Sequence, residues 1–184
     1  MNGKRLIVLV GPSGSGKTTL GDELSERGFP KLVTTTTRQP RPGETDGIDY
    51  YFRKEEDLDP DDFVEQTIYN GRLYGLTKAE VRDALIKYPL MHVSLDKNGA
   101  RALKAVYPNE TFVVFVYVSE EEMKRRMKAR GDEESKIEER VQFSQAIDEA
   151  EPIDEADLVI ENKSVEESVN KILAAVDEAN QSNR

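Results

Sequence analysis

The chain contains no cysteine and only one histidine in 184 residues. Without cysteine it can form neither disulfides nor thiolate metal sites. No apolar run approaches the roughly 20 residues that a membrane helix needs, and the N-terminus has no hydrophobic signal segment. These absences predict a soluble protein of the cytoplasm that has no membrane partner.

Acidic residues outnumber basic residues. There are 36 Asp and Glu against 26 Lys and Arg, so the formal net charge is −10 and the pI is near 4.8. This charge would repel nucleic acid and anionic membrane surfaces, so we predict no nucleic-acid partner. A local pocket for a small phosphate compound remains compatible with it. The length and the 37% hydrophobic fraction fit a single globular domain.

Apolar runs alternate with helical patterns along the chain. Runs typical of strands buried on both faces of a parallel sheet occur at 5–10, 90–95, 112–118 and 157–160. A Ser or Thr followed three residues later by Glu, the pattern of a helix start, occurs at Thr77, Ser119 and Ser164. The alternation predicts a doubly wound α/β fold with a parallel sheet of about five strands.

The first apolar run is followed by GPSGSGKT, residues 11–18, the full phosphate-loop pattern. Its glycines let successive N–H groups point at phosphate oxygens, and the following helix aims its positive end at the same place. Lys17 can reach the β- and γ-phosphates, and the Thr18 hydroxyl can ligate Mg²⁺. We predict that ATP is bound by Gly11, Pro12, Ser13, Gly14, Ser15, Gly16, Lys17, Thr18 and Thr19.

A second anion site is predicted from TTTTRQPRPGETDGIDYYF, residues 34–52. Arg38 and Arg41 lie three residues apart behind a run of threonines, which suits a compact dianion such as a monophosphate. Two prolines stiffen the backbone around Arg41, and Tyr50 can add a neutral donor. Residue types alone leave one alternative, a solvated surface on which the arginines pair with the acidic residues that follow them.

These segments together resemble the guanylate kinase family. The matching pieces fall in that family's order and nearly at its spacing: GPSGSGKT, TTRQPRPGETDGIDYYF at 36–52, FVE at 63–65, YG at 74–75 and LDKNGA at 95–100. The resemblance implies one domain of the P-loop NTPase type, with an inserted NMP-binding lobe and a mobile lid. The implied parts are a core of 1–36, 77–124 and 146–184, the lobe at 37–76 and the lid at 125–145.

The resemblance also implies roles for single residues. The phosphate of the acceptor would be held by Thr34, Arg38, Arg41, Tyr50 and Tyr74. Glu65 would accept hydrogen bonds from guanine N1–H and the 2-amino group, and Asp96 would join the acceptor site. Adenine cannot supply that pair of donors, so AMP would leave a buried Glu65 unsatisfied.

The same resemblance implies that lid arginines stabilise the charge on the transferring phosphoryl group, namely Arg126, Arg130 and Arg140. Local spacing alone leaves an ordinary basic helix surface as an equal alternative. Lys17 and Arg38 complete the predicted catalytic set. Asn162 matches a family position near the adenine of ATP.

Two positions depart from the family pattern. Leu76 stands where the family has a Ser or Thr that donates to guanine O6, so guanine recognition is expected to be weaker and Leu76→Ser to lower the KM for GMP. Ser94 replaces an acid near the magnesium hydration shell, which predicts slower turnover or altered metal dependence. His92, inside an apolar run, is predicted to be a core residue.

The predicted function is ATP-dependent phosphorylation of GMP, and of dGMP, by a monomeric or homodimeric enzyme that uses Mg²⁺. The alternative within enzymes is a kinase of another or modified purine monophosphate that tolerates Leu76. The alternative from another class is a non-catalytic, phosphopeptide-binding module of the same family. Such modules typically lack the phosphate-loop lysine or the lid arginines, which this chain retains.

Overall fold

The computed structural model describes residues 3–12, 14–146 and 151–182, apart from the side chains of Arg130, Arg140 and residues 143–146. The strands in these ranges are β1 Leu6–Val10, β2 Thr35–Thr36, β3 Tyr51–Phe52, β4 Phe63–Tyr69, β5 Arg72–Thr77, β6 Met91–Ser94, β7 Thr111–Tyr117 and β8 Leu158–Glu161. The α-helices are α1 Lys17–Glu26, α2 Lys78–Lys87, α3 Lys97–Val106, α4 Glu120–Arg130, α5 Glu134–Ala146 and α6 Val165–Ser182. Two short 3-10 helices are Glu55–Asp57 and Pro60–Asp62.

The main sheet is parallel and has the strand order β6-β1-β7-β8. Its four strands coincide with the four apolar runs of the sequence, so those predictions are confirmed. Beyond β6, a single parallel bridge joins Lys31 to His92. The described part of the sheet therefore has four strands. Where the prediction of about five strands would put another, beside β6, a single bridge is found.

Side chains of the main sheet alternate between two apolar layers. Along β1, Leu6, Val8 and Val10 pack into one layer, whereas Ile7 and Leu9 pack into the other. The first layer is completed by residues of α2 and α3, and the second by residues of α1 and α6. Helices therefore cover both faces, which confirms the predicted doubly wound α/β fold.

A second sheet, with the order β3-β2-β5-β4, forms the inserted part of the chain. β4 and β5 make an antiparallel hairpin, and a register shift lies between Phe63 and Glu65. The sheet extends from residue 35 to residue 77, slightly beyond the predicted lobe at 37–76. β4 packs against α3, which connects this sheet to the core.

The predicted helix starts have capping hydrogen bonds. Thr77 and Ser119 accept hydrogen bonds from the backbone N–H of Glu80 and Glu122, at 3.2 and 3.3 Å. Asp96 caps α3 in the same way. None of the described helices combines the length and the apolar character that crossing a membrane requires.

His92 is a core residue, only 1% exposed, as predicted. Its Nε2 lies 2.9 Å from the Ser25 hydroxyl, and its Nδ1 has no hydrogen-bond partner among the residues that the structure describes. Burial, with a smaller contribution from the charge of Lys31, lowers the pKa of His92 from 6.5 to about 4. The folded protein therefore keeps this imidazole neutral.

We predict that His92 makes the protein less stable in mild acid. Because its pKa is lower in the folded than in the unfolded state, the stability is fully present above pH 6.5 and is lost as the pH falls towards about 4. Between about pH 7.5 and 5, the free energy of unfolding should fall by about 2 kcal/mol more in the wild type than in His92→Gln. Denaturant unfolding of both proteins measures this, and equal losses would contradict the prediction.

Candidate active site

The loop between β1 and α1 is shaped by close approaches that only glycine permits. A Cβ atom at Gly11, where φ is +156°, would lie 2.0 Å from the carbonyl oxygen of Val116. Gly16 precedes α1 with φ of +89°, and a Cβ there would lie 2.3 Å from Asn162 Nδ2. The loop therefore curls tightly at the edge where β1 ends. Ser13, also predicted to bind ATP, lies outside the described residues.

This loop borders a cleft of about 750 Å³. The cleft is lined by Gly11, Pro12, Gly14, Ser15, Gly16, Lys17, Thr18, Thr19, Ser94, Leu95, Asp96 and Arg126. The Lys17 ammonium donates to the carbonyl oxygens of Gly11 and Pro12, so it is held against the loop. With a lysine, a helix N-terminus and backbone N–H groups on one side, the cleft suits a polyphosphate.

Oxygen donors also face this cleft. Thr18 and Ser94 contribute hydroxyl groups, and Asp96 contributes a carboxylate. This set suits a hard divalent cation rather than a soft one. Within residues 3–12, 14–146 and 151–182, no group of three or more His, Asp or Glu side chains is arranged to hold a metal ion by itself.

Asn162 lies under the loop instead of facing the cleft. It is 1% exposed, its Nδ2 donates to the carbonyl oxygen of Ser15 at 3.0 Å, and its Oδ1 accepts from the Ser168 hydroxyl at 3.2 Å. The resemblance placed this residue near adenine. Directly after β8 the side chain turns inward and supports the loop from below, and its proximity to adenine stays a prediction.

Arg126 reaches the cleft from α4. Its Nε donates to Glu122 at 2.7 Å, and its Nη2 donates to the carbonyl oxygen of Asn162. Arg125 binds the same carboxylate, and the two arginines lower the pKa of Glu122 to about 2. Arg126 is therefore held beside the loop. The side chains of Arg130 and Arg140 lie outside the described part of the structure.

A second pocket adjoins the cleft on the side of the second sheet. It is lined by Thr34, Tyr50, Glu65, Thr67, Tyr74, Gly75, Ser94, Leu95 and Asp96. Three of these residues, Ser94, Leu95 and Asp96, also line the cleft of the phosphate loop. The two pockets therefore meet along residues 94–96, at the C-terminal end of β6.

Arg38 does not line the second pocket itself but lies beside Tyr50 and Tyr74, which do. Its guanidinium carbon is 5.4 Å from the centre of the Tyr50 ring, and its Nη atoms donate to both carboxylate oxygens of Glu44 at 2.8 and 2.9 Å. Hydrogen bonds to Glu44 and Tyr74 raise the pKa of Arg38, so it carries its charge at any physiological pH. Arg41 is exposed, and its backbone N–H also donates to Glu44.

Glu65 is the half-buried carboxyl group of the second pocket. Burial raises its pKa to about 7, and the nearby charge of Asp96 acts in the same direction. A hydrogen bond from the backbone N–H of Leu76 opposes this shift only partly. Such a group is poised to accept hydrogen bonds from a ligand that offers N–H donors.

Leu76 lies in the hydrophobic core and not among the pocket-lining residues. Its side chain is fully buried, in the same layer as Val81, Met91 and Leu103. Only its backbone N–H, through Glu65, connects it with the pocket. The predicted direct contact between this side chain and the acceptor is therefore not seen, because β5 turns the side chain towards α2 and α3.

Sequence reasoning missed Thr67. Its hydroxyl lines the second pocket and donates to Asp96 Oδ2 at 2.9 Å. The signal available in the sequence was its position two residues after Glu65, because alternate residues of a strand project to the same face. That signal does not say which face of β4 borders a pocket.

Three comparisons relate the chain to known proteins. The family model described as guanylate kinase matches residues 3–179. The guanylate kinase of Synechococcus sp. (strain JA-3-3Ab) is 37% identical over 178 residues, which cover 92% of this chain and 81% of that protein. The guanylate kinase of Thermobifida fusca (strain YX) is 36% identical over 180 residues, which cover 94% of this chain and 91% of that protein.

Solved structures show a related fold. The crystal structure of guanylate kinase from Anaplasma phagocytophilum matches with a TM-score of 0.64 at 23% sequence identity. The match covers 97% of this chain and 87% of that one. At this identity the likeness is evidence for the shared fold.

The position of Leu76 changes the expectation for Leu76→Ser. Because the substitution places a cavity and a hydroxyl in the core, it should lower the free energy of unfolding by about 3 kcal/mol. It should not lower the KM for GMP. Leu76→Met, which keeps the volume, should cost less than about 1.5 kcal/mol. Denaturant unfolding of the three proteins measures this, and a serine variant as stable as the wild type would contradict the core position.

Proposed function

The chain belongs to the guanylate kinase family, and on that premise we propose that it transfers the γ-phosphoryl group of ATP to GMP, and also to dGMP. The observation that carries the proposal is the contact between the two pockets along residues 94–96. A donor bound at the phosphate loop and an acceptor bound beside Glu65 then have their phosphates adjacent. Adjacency of this kind makes transfer an effectively unimolecular step.

On the donor side, the phosphate loop and Lys17 bind the β- and γ-phosphates of ATP. Arg126, with the predicted lid residues Arg130 and Arg140, stabilises the charge that develops on the γ-phosphoryl group. Mg²⁺ fits the oxygen donors of the cleft, and Thr18 is the residue that we propose as its protein ligand. When bound, the ion neutralises phosphate charge and takes most of its ligands from phosphate and water.

On the acceptor side, Arg38 and Arg41 hold the phosphate of GMP, aided by Thr34, Tyr50 and Tyr74. Glu65 accepts the hydrogen bonds of guanine N1–H and the 2-amino group. Its half-buried position supports this role, since a base without these donors would leave the carboxylate poorly satisfied. We place the enzyme in the cytoplasm, acting as a monomer or a homodimer.

The alternatives are not favoured. A kinase of a modified purine was suggested by Leu76, but that side chain lies in the core and does not line the pocket. A non-catalytic phosphopeptide-binding module has no need of the phosphate-loop lysine or of Arg126, both of which line the cleft. The relatives reported above are named as guanylate kinases.

A coupled assay for ADP release tests the function directly. With Mg-ATP and a panel of ribo- and deoxy-monophosphates, GMP and dGMP should be the best acceptors, with kcat/KM about 100-fold above AMP. Lys17→Met should lower kcat by about 1,000-fold or more, because a donor to the transferring phosphates is lost.

Lys171→Met, on the exposed surface of α6, is the matched control and should retain the wild-type rate. Strong turnover of AMP without turnover of GMP would overturn the role of Glu65. Tight phosphopeptide binding with no turnover of any monophosphate would favour the non-catalytic module.

The raised pKa of Glu65 predicts a pH dependence of GMP binding. Below its pKa of about 7 the carboxyl is protonated and loses one acceptor, so the KM for GMP should fall as the pH rises through about 7. The KM for GMP is measured between about pH 5.5 and 8.5. In Glu65→Gln, the change in KM that is centred near pH 7 should be absent. The second ionisation of the GMP phosphate, with a pKa of about 6, affects the KM of the wild type and of the variant alike. A pH profile unchanged by Glu65→Gln would contradict the assignment.

A further inference from the structure

Thr67 is a polar residue of the acceptor pocket to which the proposed function gives no role. It lies on β4 two residues after Glu65, and its register partner on β5 is Tyr74. All three residues line the pocket. Thr67 therefore borders the space that the acceptor occupies.

The proton of the Thr67 hydroxyl is directed at Asp96. Oγ1 lies 2.9 Å from Asp96 Oδ2, and Asp96 Oδ1 accepts from the backbone N–H of Gly99 at 2.7 Å. An ionised carboxylate has only acceptor atoms, so the hydroxyl must be the donor in this pair. The lone pairs of Thr67 are then available to a ligand that donates, and Asp96 is oriented from two directions.

The surroundings of Glu65 indicate which edge of a purine meets Thr67. The Leu76 N–H donates to the Glu65 carboxylate, and the negative charge of Asp96 lies nearby. A carbonyl group such as O6 is repelled from the Asp96 side, whereas an amino group is attracted to it. With N1–H and one hydrogen of the 2-amino group on Glu65, the second hydrogen of that amino group would point towards Asp96 and Thr67.

We propose that Thr67 is a specificity-determining residue, which orients Asp96 and completes with it an acceptor surface for an amino group at purine C2. The inference rests on the proposed function, since it assumes a guanine monophosphate in this pocket. It predicts a preference for GMP over inosine monophosphate. That nucleotide has the same N1–H and O6 but lacks the 2-amino group.

The experiment compares kcat/KM for GMP and for inosine monophosphate in the wild type, Thr67→Val and Thr67→Ser. Valine keeps the shape of threonine and removes the hydroxyl, so it should lower kcat/KM for GMP about tenfold. The value for inosine monophosphate should stay within about twofold, because that nucleotide does not use the surface. Serine keeps the hydroxyl and should retain the preference for GMP. Thr67→Ala serves as a second hydroxyl-free variant if Thr67→Val does not fold.

Two outcomes overturn the inference. An equal loss of kcat/KM for both nucleotides would mean that Thr67 acts on the shape of the pocket, and unchanged kcat/KM for both would mean that it has no part in base selection. Failure of the proposed function looks different, because the wild type itself would then phosphorylate neither nucleotide. A loss confined to GMP, reversed in Thr67→Ser, supports the assignment.

Discussion

The geometry of both binding sites depends on the carboxylate of Asp96. It caps α3 through the Gly99 N–H and accepts the hydroxyl of Thr67, so one side chain joins the core to the strand β4 of the second sheet. Because residues 94–96 lie at the C-terminal end of β6, the parallel neighbour of β1, they are at the same edge of the sheet as the phosphate loop. One short segment thus sets the separation of donor and acceptor, which direct phosphoryl transfer requires.

The carboxylate of Asp96 also affects the ionisation of Glu65. Burial, with a smaller contribution from the charge of Asp96, raises the pKa of Glu65 to about 7, so ionising Glu65 is unfavourable without a partner. A Cβ atom at Gly99 would lie 3.1 Å from Glu65 Oε2 and 3.2 Å from Asp96 Oδ1, so the absence of a side chain there leaves room for both groups. In the role that we propose for Glu65, a base with two adjacent N–H donors would satisfy the ionised carboxylate, and a base without them would not.

The main sheet, the helix starts and the phosphate loop could be predicted because their signals are local. A strand buried on both faces is visible in the sequence as a continuous apolar run. The start of α2 is visible as Thr77 followed three residues later by Glu80. The orientation of Leu76 could not be predicted, because it depends on how β5 pairs with β4 and how that hairpin packs on the core. Asn162 was assigned by family position, yet its direction depends on the packing of β8 beneath the loop. Thr67 was missed for a related reason, since alternation along β4 does not identify the face that borders the pocket.

One arginine of each site is already bound to acceptors of the protein. Arg38 is held by both oxygens of Glu44, and Arg126 is held by Glu122. Fixed guanidinium groups lose less side-chain entropy when a phosphate binds. A phosphate that binds Arg38 must nevertheless compete with Glu44, which it can do because a dianion carries more charge than a carboxylate. Glu44 also accepts the backbone N–H of Arg41 at 2.7 Å, so any shift of Glu44 acts on both arginines together. The ion pair of Arg38 with Glu44 thereby couples the two arginines that we propose as ligands of the acceptor phosphate.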